Sequence, residues 1–149
     1  FNIMYTIAIT NQNWFDFLSD KDLTEEVNFW TPTLWNPKID PGSKWFFMLK
    51  SPIRKISGYG IYREYTELSI TNTWEKYGEK NGSANMESLV SMLSEHIDPK
   101  NYNTHKIGSI LLTDVVYYDK QNFILPETYN IDFPSAIMKY KKYDGEPNF

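Results

Sequence analysis

Few residues in this chain have the type and spacing needed for catalysis or metal binding. The two histidines, His96 and His105, lie nine residues apart without an HExxH pattern, and there is no cysteine to complete a zinc site. No GxSxG elbow, phosphate-binding glycine loop or dinucleotide fingerprint occurs. Carboxylate pairs such as Glu25 and Glu26 have no setting that would shift their proton affinity. We therefore expect no catalytic residues, no metal and no cofactor, and no enzymatic activity of this chain on its own.

Aromatic side chains are more informative. They make up 17% of the chain, including five Trp and eleven Tyr, and their rings can either build a core or stack on nucleobases. Stacking on one aromatic ring stabilises a bound base by ~1 to 3 kcal/mol, and amide or hydroxyl groups can bind its edge. The candidates for a base-binding pocket are Asn28, Trp30, Ser51, Tyr59, Tyr62, Trp74 and Asn81.

Each ring in this set also has an explanation in packing. Trp30 ends a predicted strand before a proline-containing loop, where it can face a pocket or the core. Tyr59 and Tyr62 point to opposite faces of a regular strand, so one pocket takes only one of them unless a bulge intervenes. We expect Trp74 to support the GEKNG loop, and Trp45, in the apolar run WFFMLK, to lie in the core.

The charge balance argues against a protein that coats nucleic acid by bulk electrostatics, because the formal net charge is −4. A local basic surface is compatible with this composition, and ordinary solvated charge explains the same residues. The candidates for phosphate contacts are Lys50, Arg54, Lys55, Arg63 and Lys80.

The chain is expected to form one domain, residues 4–145. It has no internal repeat, low-complexity tract or linker, and 149 residues can build a core without metal or disulfide. Met4 is the first methionine, so we expect residues 1–3 to be an expression remnant. The lack of cysteine, of a leader and of an apolar window of about eighteen residues predicts a cytoplasmic protein.

The predicted elements set the positions of these candidates. Residues 4–10 and 27–30 predict strands, an Asn cap starts a short helix at WFDFL, and WFFMLK is apolar enough to be buried on both faces. Residues 55–65 alternate as a strand in which Gly58 and Gly60 indicate bulges or close backbone approach.

Two helices and a long strand follow. Ser69 is predicted to cap a helix that stops near Gly78, and a second helix is predicted to begin after NGSAN. Residues 106–119 give the longest strand signal, and the tail beyond them is predicted to be irregular. The buried stripe of the second helix is Met86, Leu89, Val90, Leu93 and Ile97. The fold class is therefore α+β, a curved sheet or pseudo-barrel of about five to six strands with about three flanking helices.

Several of these segments also occur together in a known family. In order and spacing, ITNQNWFDFLSD, EVNFW, PGSKWFFMLKSP, ISGYGIY, TWEKYGEKNG and IGSILL resemble the N-terminal domain of HNH restriction endonucleases. The resemblance covers residues from about 5 to about 125 and is most specific in WEKYGEKNG combined with NFW. That domain is similar to the PUA-like EVE, YTH, ASCH and SRA-related domains, which hold a modified nucleobase in a pocket of a curved sheet.

The resemblance implies a PUA-like fold and a DNA-binding specificity domain. Its ligand would be a modified, flipped-out base such as 5-methylcytosine or a modified adenine in double-stranded DNA, read within a modification-dependent restriction system. Tyr59 stands in a strand that is richer in glycine in the family, and Lys50 stands where the family usually has histidine. The HNH nuclease module is expected to lie outside this chain.

Two alternatives stay open. YTH and ASCH relatives act on RNA, so the resemblance also allows an RNA or single-strand binder of a modified base. Exposed aromatic residues would also suit a protein-interaction module. No membrane partner is expected.

Overall fold

The computed structural model describes residues 3–149, apart from the side chain of Pro99. In this part of the chain six strands form one sheet, accompanied by three α-helices. The strands are β1 (Met4–Thr10), β2 (Glu26–Thr31), β3 (Lys44–Leu49), β4 (Ile56–Ser69), β5 (Lys106–Tyr117) and β6 (Tyr140–Asp144). The helices are α1 (Gln12–Asp20), α2 (Ile70–Tyr77) and α3 (Met86–Leu93), and 3₁₀ segments lie at Gly78–Asn81, Pro99–Asn101, Lys120–Asn122 and Pro126–Tyr129.

The order of the strands across the sheet is β2-β5-β4-β3-β1-β6. β1 and β3 are parallel, with Thr10 opposite Leu49, and the other neighbouring pairs are antiparallel. A parallel pair needs a crossover connection, which here contains α1 and β2. The carboxyl ends of β1 and β3 therefore lie side by side, and β6 borders the other edge of β1.

The sheet buries side chains on both faces, as β3 shows. Trp45, Phe47 and Leu49 belong to one core cluster, whereas Phe46 and Met48 belong to a second cluster. Side chains alternate between the two faces along a strand, so a continuous apolar run must be covered on each face. The prediction that WFFMLK is buried on both faces is confirmed.

Different elements cover the two faces. α1 contributes Trp14 and Leu18 to the first cluster, and the C-terminal segment contributes Ile131 and Phe133 to the second. A third cluster lies beneath α3 and includes Leu89.

β4 passes close to β5 at Gly58 and Gly60. A Cβ on Gly58 would overlap the carbonyl oxygen of Val116, and a Cβ on Gly60 would lie 2.9 Å from that of Leu112. The pairing register of β4 and β5 also shifts at this point. The predicted close approach and bulge are confirmed, and such a bulge bends the strand and increases its twist.

Each α-helix begins at a side chain that caps its first turn. The side chains of Asn11, Ser69 and Asn85 each accept a hydrogen bond from the backbone N–H three residues later, at 2.8 to 3.1 Å. The bonds satisfy N–H groups that have no partner within the helix. The predicted helix starts are confirmed. No helix in the described part of the chain has the length and apolar character that crossing a membrane requires.

β6 lies in a segment for which the sequence predicts irregular structure. Residues 140–144 read YKKYD, which lacks the alternation of β-branched and polar residues by which strands are recognised. The strand is stabilised by pairing with β1, where Tyr5 lies opposite Tyr143 and their rings stack at 4.9 Å. That interaction comes from residues far apart in the chain, so no local pattern indicates it.

Candidate functional site

A cleft opens where β1, β2 and β3 end, beside the loop after β2, the end of α3 and the residues before β6. Its volume is about 260 Å³, just below the ~300 to 1,000 Å³ of typical small-molecule pockets. Its walls include the buried rings of Trp14 and Phe29 and the half-buried rings of Trp30 and Trp35. The cleft therefore suits one small ligand with an apolar face.

Trp30 is a fixed wall of this cleft. Its indole N–H donates a 2.9 Å hydrogen bond to the carbonyl oxygen of Asn81. The ring also packs against the first core cluster and against the cluster beneath α3. Since both its polar group and part of its surface are held by the protein, the ring offers a ligand a preset apolar face.

Trp35 is the second half-buried wall and lies in the loop after β2. Its backbone N–H donates a 2.7 Å hydrogen bond to the hydroxyl oxygen of Tyr65, and its ring meets that of Tyr140 edge to face. The ammonium of Lys139 lies 5.3 Å from the centre of the Trp35 ring, which is within cation–π distance. Burial raises the pKa of both Tyr65 and Tyr140, so both phenols remain protonated at neutral pH.

Asn28 and Asn81, two of the predicted base contacts, are fully buried and support the cleft from behind its walls. Nδ2 of Asn28 donates to Oδ1 of Asn81 at 2.8 Å. Nδ2 of Asn81 in turn donates to the carbonyl oxygens of Thr73 (3.1 Å) and Gly78 (3.0 Å). These bonds fix the turn whose carbonyl holds Trp30, so the two amides position a wall of the cleft and do not line it.

Gly82 packs the same turn directly against Trp14. Its backbone φ is +79°, and a Cβ added there would overlap the indole ring of Trp14. That ring is itself anchored, because its N–H donates a 3.0 Å hydrogen bond to the carbonyl oxygen of Asn28. Gly82, the second glycine of the segment GEKNG, is therefore needed both for the turn and for the contact of this turn with Trp14.

Lys50 and Lys139 line the cleft. Lys50 is among the predicted phosphate contacts, and Lys139 is not. Arg54 lies elsewhere: its guanidinium stands 5.3 Å from the centre of the Phe133 ring and donates a 3.3 Å hydrogen bond to the carbonyl oxygen of Phe133. Lys55 is exposed in the turn between β3 and β4 and does not line the cleft.

The last two predicted phosphate contacts already have acidic partners. Arg63 lies 3.2 Å from a carboxylate oxygen of Asp114, and Lys80 lies 3.1 Å from one of Glu26. Such exposed ion pairs stabilise the fold little, but they offset the positive charge that a phosphate would use. The structure does not bring these two cations to the cleft.

The structure describes all seven predicted base contacts, and the remaining ones also lie away from the cleft. Tyr62 is buried in the first core cluster, and Tyr59 packs against the second, as strand alternation predicts. Trp74 packs half-buried against the cluster beneath α3, and Ser51 is exposed in the turn after β3. Of the seven, Trp30 alone lines the cleft. The sheet positions only Asn28, Tyr59 and Tyr62, whereas Ser51, Trp74 and Asn81 lie in the turn after β3, in α2 and in the 3₁₀ segment after α2.

Sequence reasoning misses Trp35 and Lys139. Trp35 stands between Pro32 and Pro37, in a segment that predicts neither a strand nor a helix. A large indole in such a loop could have indicated a ring that lines a cleft. Lys139 precedes a strand that the sequence does not reveal, so nothing local indicates its position.

Besides the two lysines and the hydroxyl groups of Thr31 and Thr33, the polar side chains at the cleft are those of Asn11, Glu95 and His96, of which Asn11 already caps α1. Their amide, carboxylate and imidazole groups could bond the polar edge of a ligand. Within residues 3–149 no group of three His, Cys, Asp or Glu side chains is placed to hold a metal ion.

Comparison with known proteins bears on the fold. No protein-family model matches the chain, and no curated protein matches its sequence. A crystal structure of ASCH from Zymomonas mobilis is similar, with a TM-score of 0.53 and 11% sequence identity over 94% of this chain and 87% of that chain. A crystal structure of a serine-to-alanine mutant of the same protein gives a TM-score of 0.57 and 10% identity over 92% of this chain and 86% of that chain.

At this level of identity the likeness concerns the fold alone. The two structures match nearly the whole of this chain, including its mixed sheet. The expected fold class is confirmed: the chain has an α+β fold of the PUA-like type.

Proposed function

We propose that this protein binds single-stranded nucleic acid by holding one unpaired base in the cleft, against the indole rings of Trp30 and Trp35. The observation behind this proposal is that one base-sized cleft contains two half-buried tryptophans together with Lys50 and Lys139. Aromatic faces that stack on bases, combined with cations that attract phosphates, are how proteins bind single strands. The PUA-like fold supports the proposal, because the sequence resemblance links that fold to domains that bind single bases.

The size of the free-energy terms favours a single strand over an intact duplex. Extruding a base from a duplex costs a few kcal/mol, as much as the ~1 to 3 kcal/mol that one stacking contact contributes. Further phosphate contacts would have to offset this cost, yet the protein has a net charge of −4, and Arg63 and Lys80 are paired with carboxylates. An unpaired base enters the cleft without that cost.

A modified base in double-stranded DNA is the competing ligand, since the chain resembles the reader domains of restriction endonucleases. A buried methyl group contributes only ~0.8 kcal/mol, which is about fourfold in affinity. That gain is smaller than the cost of base extrusion. A preference for methylated bases is therefore expected to be modest, and to be seen among single strands.

The proposed role is recognition without cleavage. A bound strand is expected to stay intact when end-labelled RNA or DNA is incubated with the protein and Mg²⁺. Shorter labelled products, absent from a sample with heat-denatured protein, would contradict this part of the proposal.

Fluorescence anisotropy of short labelled strands tests the binding. We expect single-stranded RNA or DNA to bind more tightly than the matching duplex. Trp35→Ala and Trp30→Ala should each weaken binding by ~1 to 3 kcal/mol, about 5- to 150-fold in Kd. Trp35→Ala is the more direct variant, because Trp30→Ala also removes the hydrogen bond to Asn81.

Trp74→Ala is the matched control, since Trp74 is half-buried like the cleft tryptophans but does not line the cleft. It should leave Kd unchanged, with circular dichroism confirming that each variant is folded. The proposal fails if no single strand binds at low salt, or if both cleft variants bind like the unaltered protein. A duplex with one methylated base that binds more tightly than every single strand would instead favour the restriction-type reader.

A further inference from the structure

Lys50 and Lys139 flank the end of β1 on its two sides. Lys50 directly follows β3, whose last residue, Leu49, pairs with Thr10. Lys139 directly precedes β6, and its carbonyl oxygen accepts a 2.7 Å hydrogen bond from the backbone N–H of Ile9. Because β3 and β6 are the two neighbours of β1, the backbones of the two lysines lie about two strand spacings, roughly 10 Å, apart.

Among the residues that the structure describes, neither ammonium group has an acidic partner within ion-pair distance. Lys139 donates a 3.0 Å hydrogen bond to the hydroxyl of Thr33, which holds its ammonium beside Trp35 without neutralising it. The other ionisable side chains that line the cleft are Glu95 and His96.

Two cations that line a base-sized cleft and come from the two sides of β1 match a ligand that is negative on both sides of a base. A nucleoside has no phosphate and a nucleoside monophosphate has phosphate on one side only. An internal nucleotide of a strand has a phosphodiester on each side. Lysine is suited to this contact because its ammonium is a compact point charge at the end of a long stem.

We propose that Lys50 and Lys139 contact the two phosphates that flank the bound base, so that the ligand is an internal nucleotide of a single strand and not a free nucleoside or a strand end. This inference rests on the proposed function. It adds which nucleotide the cleft accepts and which side chains hold the backbone.

The salt dependence of binding counts phosphate contacts. For single strands the slope of log Kobs against log salt is about −0.7 per neutralised phosphate, so two contacts predict a slope of about −1.4. Affinity should then fall about sevenfold between 50 and 200 mM salt. Lys50→Gln and Lys139→Gln should each bring the slope to about −0.7, and the double variant should bring it close to zero.

Two comparisons make the test specific. Lys120→Gln, which removes an exposed lysine outside the cleft, should leave the slope at its original value. A nucleoside, which has no phosphate, should bind with a slope near zero.

The outcomes separate this inference from the proposed function. If strands bind and Trp35→Ala weakens binding, but the lysine variants keep the original slope, the proposed contacts of Lys50 and Lys139 with phosphate are wrong and the proposed base site is retained. A slope much steeper than −1.4 in the unaltered protein would also overturn the two-phosphate assignment. If no strand binds at all, the proposed function fails, and the proposed phosphate contacts of the two lysines fail with it.

Discussion

Replacing Asn81 by alanine is expected to destabilise the protein and to disturb the cleft wall that Asn81 supports. The side chain makes three hydrogen bonds, one with Asn28 and two to the carbonyl oxygens of Thr73 and Gly78. Asn81 is fully buried, so its three partners would lose their hydrogen bonds inside the protein. At a net ~1 kcal/mol for each bond the loss is about 3 kcal/mol, a large part of the ~5 to 15 kcal/mol that stabilises a domain.

A double-mutant cycle with Asn28→Ala isolates the bond that the two side chains share. Asn28 donates to Asn81 and, at 3.2 Å, to the hydroxyl of Ser109, so Asn28→Ala should cost about 2 kcal/mol. Because the shared bond is counted in both single variants, the double variant should lose about 1 kcal/mol less than their sum. Urea unfolding followed by circular dichroism gives the four free energies.

The control is Asn72→Ala, which removes an exposed amide from α2 and should change stability by less than about 0.5 kcal/mol. Two results would refute the reasoning. One is a loss below about 1 kcal/mol for Asn81→Ala with an unchanged dependence on urea. The other is strict additivity of the two single variants, which would show that the amides do not act as one buried network.

Two further predictions concern stability. Gly82→Ala should lower the free energy of unfolding by roughly 2 to 5 kcal/mol, since a left-handed backbone costs an ordinary residue ~1 to 2 kcal/mol and overlap with Trp14 adds ~1 to 3 kcal/mol. The control is Gly145→Ala, at φ +78° in open space, which should show the backbone cost alone. Equal losses of stability for the two variants in urea unfolding would contradict the contact between Gly82 and Trp14. Burial, and to a lesser extent Tyr59, raises the pKa of Tyr118 from 10.0 to about 12. Between these two pH values the folded state keeps a proton that the unfolded chain loses, so this contribution to stability is complete below about pH 10 and is lost as the pH rises to about 12. In Tyr118→Phe the free energy of unfolding, measured with urea, should therefore fall less steeply with pH over this range. The same pH dependence in the variant and the unaltered protein would contradict the prediction.

The elements of the fold could be predicted because their signals are local. The continuous apolar run of β3 requires cover on both faces, and the capping side chains of Asn11 and Ser69 lie within three residues of the N–H groups that they bind. Gly58 and Gly60 indicated the close approach of β4 to another strand, although not which strand. Each of these patterns is readable within about a dozen residues, which is also why the α+β class followed from them.

The cleft could be predicted only in part, because it combines residues from segments far apart in the chain. Trp30 can be predicted as a cleft residue because a ring at the end of a strand can face a pocket. Asn28, one strand position away from Phe29, is a polar residue whose partner, Asn81, lies 53 residues further along the chain. Because the sequence does not show which residue is the partner, it does not distinguish a buried structural amide from an amide that binds a ligand. Lys139 reaches the cleft only through the pairing of β6 with β1.

The way the indoles are held also determines how much base selectivity the cleft can provide. The N–H groups of Trp14 and Trp30 both donate to backbone carbonyl oxygens, so these rings offer a base their apolar surface and no edge contact. Stacking of this kind is tolerant of sequence, because every base has a π-face. Discrimination at the base edge is left mainly to Glu95 and His96, whose side chains are exposed to solvent. The cleft is therefore built to contribute more to affinity through its rings than to choice among bases through its polar groups, and removing one ring should cost more than exchanging one base for another.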